Sequence, residues 1–153
     1  MRIVVAVAVL TLATASAVIA ADREPASEIR PRVDHHLREA AQITRHLEAL
    51  LAADCPRFAS VAEWNAYVDR EVDQVLLMAA HLEQAWAEAK RTDDDEVRQA
   101  AKAPRRRIDE APKVVEKISA CAELNGTTFS PGRTYRRIER DLPQRQAEIA
   151  LPR

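Results

Sequence analysis

The stretch from Ser60 to Arg91 constrains the fold more than any other part of the chain. Its apolar residues Val61, Trp64, Val68, Val72, Val75, Ala79, Leu82, Trp86 and Ala89 recur at spacings of three and four, with no Gly or Pro between them. At about 100° per residue these positions fall in one stripe, which predicts a long amphipathic helix. Ser60 with Glu63 three residues on has the form of a capping box: the hydroxyl accepts the Glu63 N–H while the carboxylate reaches back to the Ser N–H. A one-sided helix of this length needs partners along its whole extent.

The chain supplies them on both sides. Val33, Leu37, Ala40, Thr44, Leu47 and Leu51 form a stripe, flanked by Ile43 and Leu50, that predicts a first helix from Pro31 to about Ala53. Pro31 suits the first helical position, where a missing N–H costs nothing. Only Asp54 to Ala59 separates this helix from the Ser60 cap, so the two are expected to be antiparallel neighbours. After Arg91, the run Thr92-Asp93-Asp94-Asp95-Glu96 offers a cap and acids for the positive end of a new helix. There Val97, Ala101, Pro104, Ile108, Ala111, Val115, Ile118 and Ala122 keep one phase through Pro104 and beside Pro112. Unbroken phase predicts a single helix kinked twice, although an interior Pro costs about 3 kcal/mol. Asn125-Gly126 ends it. Ser130-Pro131 then opens a shorter stripe of Tyr135, Ile138 and Leu142, expected to be interrupted at Pro143.

The predicted fold is therefore all-α: an antiparallel up-down bundle of three long helices plus a shorter C-terminal helix, stapled by one disulfide. Residues 31–149 form the single bundle domain, with a flexible 21–30 before it and a loose tail at 150–153. A chain of 153 residues with two glycines suits one helical domain.

Residues 1–20 read as a secretory signal peptide. Met1-Arg2 is a basic start, Ile3 to Leu12 is apolar apart from Thr11, and Val18-Ile19-Ala20 places small residues for cleavage after Ala20, or else after Ala21. The rival is a retained anchor, since Ile3 to Ala21 is 19 residues long. The expected location is periplasmic or secreted, in a bacterium, with no integral membrane segment once the leader is cleaved. In an oxidising compartment Cys55 and Cys121 are expected to pair. The up-down topology puts both at the same pole, and closing that loop stabilises the fold by ~4 kcal/mol.

The functional signals are fewer. The four histidines suggest a metal or haem in the bundle, but His35, His46 and His81 fall roughly 140–200° from their stripe centres and are expected to face solvent. Only His36 flanks an apolar face. No metal ligands and no cofactor are predicted. Arginine outnumbers lysine 19 to 4, in the groups Arg105-Arg106-Arg107 and Arg133, Arg136, Arg137, Arg140. These read either as an anion site or as a solvated face balanced by Asp109, Glu110, Glu139 and Asp141. The formal net charge of −1 gives no reason to expect nucleic acid. No nucleophile elbow, Gly-rich phosphate loop or HExxH motif is present, so no catalytic residues are assigned.

Five of the six aromatics, Phe58, Trp64, Tyr67, Phe129 and Tyr135, gather at the Cys55/Cys121 pole. They make either a recognition patch or a sealed end-cap of the bundle. As a patch, the partner-binding residues are Phe58, Tyr67, Phe129, Arg133, Tyr135 and Arg136, since aromatics and Arg anchor interfaces. The expected function is thus an exported, non-enzymatic bundle that binds an unidentified protein or cell-envelope component, as an adaptor, inhibitor or chaperone-like factor. The alternatives are a small helical enzyme with an Arg-lined anionic site, and a metal- or haem-binding bundle.

Overall fold

A computed structural model describes residues 23–152, the side chains of Asp109 and Glu110 excepted. The expected leader at residues 1–20 lies outside the described residues. The described chain is helical, without a strand: α1 (Ala26–Ala52), α2 (Val61–Ala89), α3 (Asp95–Arg105), a 3₁₀ turn (Arg106–Glu110), α4 (Ala111–Leu124) and α5 (Pro131–Glu148). Among the described residues no helix is long and apolar enough to cross a membrane. The helix α2 lies at the centre and touches α1, α3, α4 and α5.

The first helix starts five residues before the expected Pro31. Ile29 extends the stripe by one turn and is fully buried with Val33, Ala85, Ala89, Val97 and Ala101. Burying it outweighs the one backbone bond that Pro31 cannot give to Ser27, whose residue is exposed and whose carbonyl can turn to water. The segment ahead of α1 is tied down. The Glu24 N–H donates to Arg91 O at 2.9 Å, Arg23 donates to Lys90 O at 2.6 Å, and the Arg91 guanidinium pairs with both Glu24 and Glu88.

The cap of α2 forms with one adjustment. Ser60 Oγ accepts the Glu63 N–H at 3.2 Å, but the Glu63 carboxylate takes the N–H of Ala59, at 2.9 Å, in place of that of Ser60. Trp64, Val72, Val75, Ala79, Leu82 and Ala89 of the predicted stripe are buried. Val61 is not: it is 64 % exposed. Conversely Glu71, Leu76, Met78, Ala80, His81 and Glu88 are buried outside the stripe. They are covered because several helices surround α2. On one side α5 is attached by Arg137 to Asp69 at 2.6 Å, Arg145 to Asp73 at 2.5 Å and Gln146 to Gln84 at 3.0 Å.

Two expectations about proline are corrected. The stretch from 95 to 124 is not one helix kinked twice: α3 passes through Pro104 and gives way to the 3₁₀ turn, after which α4 begins. Pro112, the second residue of α4, has no N–H for the carbonyl of Ile108, so the α-helical ladder cannot continue there. The phase survives the break, with Val97, Ala101, Val115, Ile118 and Ala122 all buried. Pro143 does not interrupt α5, which runs on to Glu148. Both Pro143 and the Glu139 whose bond it removes are exposed, so water replaces what is lost.

Candidate functional site at the disulfide pole

Cys55 in the α1–α2 connection and Cys121 near the end of α4 form a disulfide, with Cα atoms 5.3 Å apart. The connection has little regular structure, and polar contacts from α4 satisfy its backbone. Asn125 does most of this. Its Oδ1 accepts the Phe58 N–H at 3.2 Å, and its Nδ2 donates to Pro56 O at 3.0 Å and Cys121 O at 2.9 Å. Lys117 donates to Ala53 O at 2.6 Å, and Arg57 to Leu124 O. Gly126 then turns the chain with φ of 63°, a conformation that costs a residue without Cβ little.

The predicted aromatic residues are only partly gathered. Phe58, Trp64 and Tyr67 form a ring cluster with centroids 5.1 to 5.8 Å apart, and Phe58 and Phe129 both pack on the main core. Tyr67 is 7 % exposed beneath Phe58, with the Arg70 guanidinium 5.5 Å from its ring, so it supports the surface from below. Burial and the nearby Glu71 carboxylate push its phenol above the ordinary value. Tyr135 is half-buried; Arg133 and Arg136 on the first turns of α5 are exposed, and neither has an ion pair among the described residues. Arg137 and Arg140 are engaged by Asp69 and Asp141.

What the sequence reading missed lies between these groups. A groove of about 170 Å³ runs along Phe58, Ser60, Val61, Trp64, Asn125 and Thr127. Beside it are Val61, 64 % exposed, and Leu124, 54 % exposed, the two large hydrophobic side chains that stand open among the described residues. The pole is therefore a packed end-cap inside, with Val61 and Leu124 left open outside. Val61 belonged to the predicted core stripe, and Leu124 falls outside the phase of its helix. That mismatch is the one available signal.

The arginine turn has another character. Arg105 pairs with Glu83 at 2.8 Å and Arg107 with Glu48 at 3.4 Å, while Arg106 is exposed. Open cavities of about 320 Å³ and 290 Å³ flank the turn, the first lined by Glu83, Lys102, Arg105, Arg106 and Ile108.

The expectation that His81 faces solvent is corrected, while His46 is exposed as expected. His81 is 6 % exposed and His36 0 %, and their Nδ1 atoms are 3.0 Å apart. His46 keeps an exposed ring edge, yet its Nε2 meets buried Glu71 at 2.6 Å, and Arg70 meets the other carboxylate oxygen at 2.9 Å. Burial pushes His36 down to about 4, with His81 and His35 adding to it. Burial also lowers His81, against an opposing pull from Glu39. Among the described residues no group of three or more His, Cys, Asp or Glu side chains is placed to hold a metal ion.

Compared with protein-family models, with curated proteins and with solved structures, the chain matches none.

Proposed function

We propose that the chain is an exported, non-enzymatic helical-bundle protein that binds a protein or cell-envelope partner through its disulfide pole. The observation that carries the reading is the exposure of Val61, on the wall of the Phe58–Thr127 groove, and of Leu124, next in the chain to Asn125 on the same groove. Leaving Val61 and Leu124 more than half exposed forgoes part of the ~1.5–3 kcal/mol that full burial of each would bring, which a partner would recover. The surface is held rigid by the disulfide and Asn125, so little ordering entropy opposes docking. Exposed Arg57, Arg133 and Arg136 at the same end favour an apolar segment with acidic flanks.

Export is part of the proposal. The composition of residues 1–20 and a disulfide in a chain with two cysteines both suit a periplasmic or secreted location. So is the up-down order of helices. In its support, residue numbers on α1 rise as those on α2 fall in the pairs 36–81, 44–78 and 46–71, while numbers on α2 and α5 rise together.

The test is a photo-crosslinking residue placed at Val61 or Leu124 of the full chain in its native envelope, with exposed Gln99 as the control. A defined adduct from the first two positions, absent at Gln99 and reduced at least tenfold by Leu124→Asp when the probe is at Val61, is expected. Equal adduct yields at all three positions would refute the reading. A second reading, an enzyme acting on a small anion at the arginine turn, is favoured by the 320 Å³ cavity with Lys102, Arg105 and Arg106 around it. Saturable phosphate binding lost in Arg106→Gln would support it.

A further inference from the structure

His36 and His81 lie where the two apolar clusters meet. Val33 and Ala85 of one cluster flank them on one side, and Ala40 and Met78 of the other cluster on the other. A contact of 3.0 Å between two Nδ1 atoms requires one N–H, donated from one ring to the other. His36 Nε2 is buried and has no partner among the described residues. A bare nitrogen there costs less than a buried N–H without an acceptor. We therefore assign the Nδ1–H tautomer to His36, donating, and the Nε2–H tautomer to His81, accepting at Nδ1.

This arrangement has one place for another proton. If His36 takes it, Nε2 becomes an N–H. If His81 carries the charge instead, its Nδ1 must donate, and the hydrogen of His36 must move to Nε2. Either way a hydrogen arrives on His36 Nε2, in an apolar interior, next to a positive charge. We propose that the His36–His81 pair is an acid-operated latch between α1 and α2, which holds the two helices together when neutral and releases them at this level when protonated.

The groups facing the pair offset the charge only in part. His35, with ring centroids 5.2 Å from His36 and 6.2 Å from His81, opposes a further positive charge, while Glu39 acts on His81 in the opposite sense. Towards this level α3 contributes the apolar Val97 and Ala101, and Arg107 of the 3₁₀ turn reaches the cavity lined by Leu37, Ala40 and Leu82, where it pairs with Glu48. From α5, Gln146 reaches Gln84, and Arg145 is engaged by Asp73 about two turns from His81. The value of about 4 for His36 against 6.5 for a free imidazole sets the sign. Stability from the neutral pair is complete above pH 6.5 and is lost as the pH falls towards 4.

The experiment compares the wild type with His36→Leu/His81→Leu in urea unfolding at pH 7 and pH 4.5. Carboxylates titrate in both proteins, so the difference between them reports the pair. Between the two pH values the unfolding constant of the wild type is expected to rise at least about 60-fold more than that of the variant, the share of His36 alone, to which the lowered His81 adds. Amide protection over residues 33–44, corrected for intrinsic exchange, is expected to fall at pH 5 in the wild type alone. Imidazole ¹⁵N spectra of the wild type provide a check that needs no variant: they should show the assigned tautomers at pH 7, with His36 titrating near 4. An equal pH response of the two proteins, or His36 titrating at or above 6.5 in the folded state, would overturn the proposal. So would stoichiometric Zn²⁺ binding that raises Tm and needs both histidines, since the pair would then be a metal site.

Discussion

Replacing Cys55 and Cys121 together with alanine cuts the covalent tie between the α1–α2 connection and α4 but leaves the surrounding hydrogen bonds in place. The cysteines are 66 residues apart. Closing a loop of that length in the unfolded chain costs ~4 kcal/mol at 25 °C on the chain-entropy model, so the variant should lose about that much. For a domain with a stability of about 5–15 kcal/mol this is a large fraction, and it raises the unfolding constant by roughly 10³. Urea unfolding followed by helical ellipticity and by the fluorescence of buried Trp64 measures it. The native spectra should be unchanged, because Asn125, Lys117 and Arg57 still fasten the connection to α4. The midpoint should fall and the slope m should rise, since the uncrosslinked unfolded chain exposes more surface. Reduction of the wild type should reproduce both changes. A loss below about 1 kcal/mol with unchanged m would refute the reasoning, because the bridge would then not be limiting the unfolded chain.

Asn125→Ala removes three hydrogen bonds and strands the Phe58 N–H; a loss of about 2 kcal/mol is expected in the same assay, and a loss under 0.5 kcal/mol would show that water replaces them. The Tyr67 phenol, raised by burial and Glu71, should titrate above pH 10 when followed at 295 nm in a Tyr135→Phe background; a midpoint at or below 10 contradicts its placement. Pro112→Ala restores an N–H for Ile108 O and should convert part of the 3₁₀ turn to α-helix, seen as stronger ellipticity at 222 nm. An unchanged spectrum would mean that something other than the proline sets the break.

The parts of the fold that followed from local chemistry were legible in the sequence. Ser60 with Glu63 marked the start of α2, four-three spacing marked α1, α2 and α5 but ran α3 and α4 together, and short connections brought Cys55 and Cys121 to the same end. What was hidden depends on what lies against each face. One stripe on α2 implies one buried side, but α5 also covers the arc bearing Asp69, Asp73 and Leu76, and α1 reaches His81 through His36. A polar residue on such a helix looks solvent-facing until its partner is known, and the partner of His81 is another histidine 45 residues away. Pro31 and Pro143 misled for a different reason. A proline costs a helix least where the orphaned carbonyl can reach water, and periodicity does not show which turns are wet. At the candidate site Phe58, Trp64 and Tyr67 come together as ring neighbours. Their division into supporting Tyr67 and the outer groove, and the exposure of Val61 and Leu124, depended on the ends of helices whose lengths the pattern fixes only loosely.

The clamp of Arg23 and Glu24 onto Lys90 and Arg91 decides which way the molecule faces. Anything joined ahead of Arg23, whether a fused domain, a surface linkage or a lipid tether, enters the bundle at the far end of α2 from Ser60. With 29 residues in α2, that point of attachment and the groove at the disulfide pole are separated by about 43 Å. A tether at the front of the chain would thus hold the protein like a post. Its disulfide tip would be directed away from the support and clear of it, free to meet whatever diffuses past.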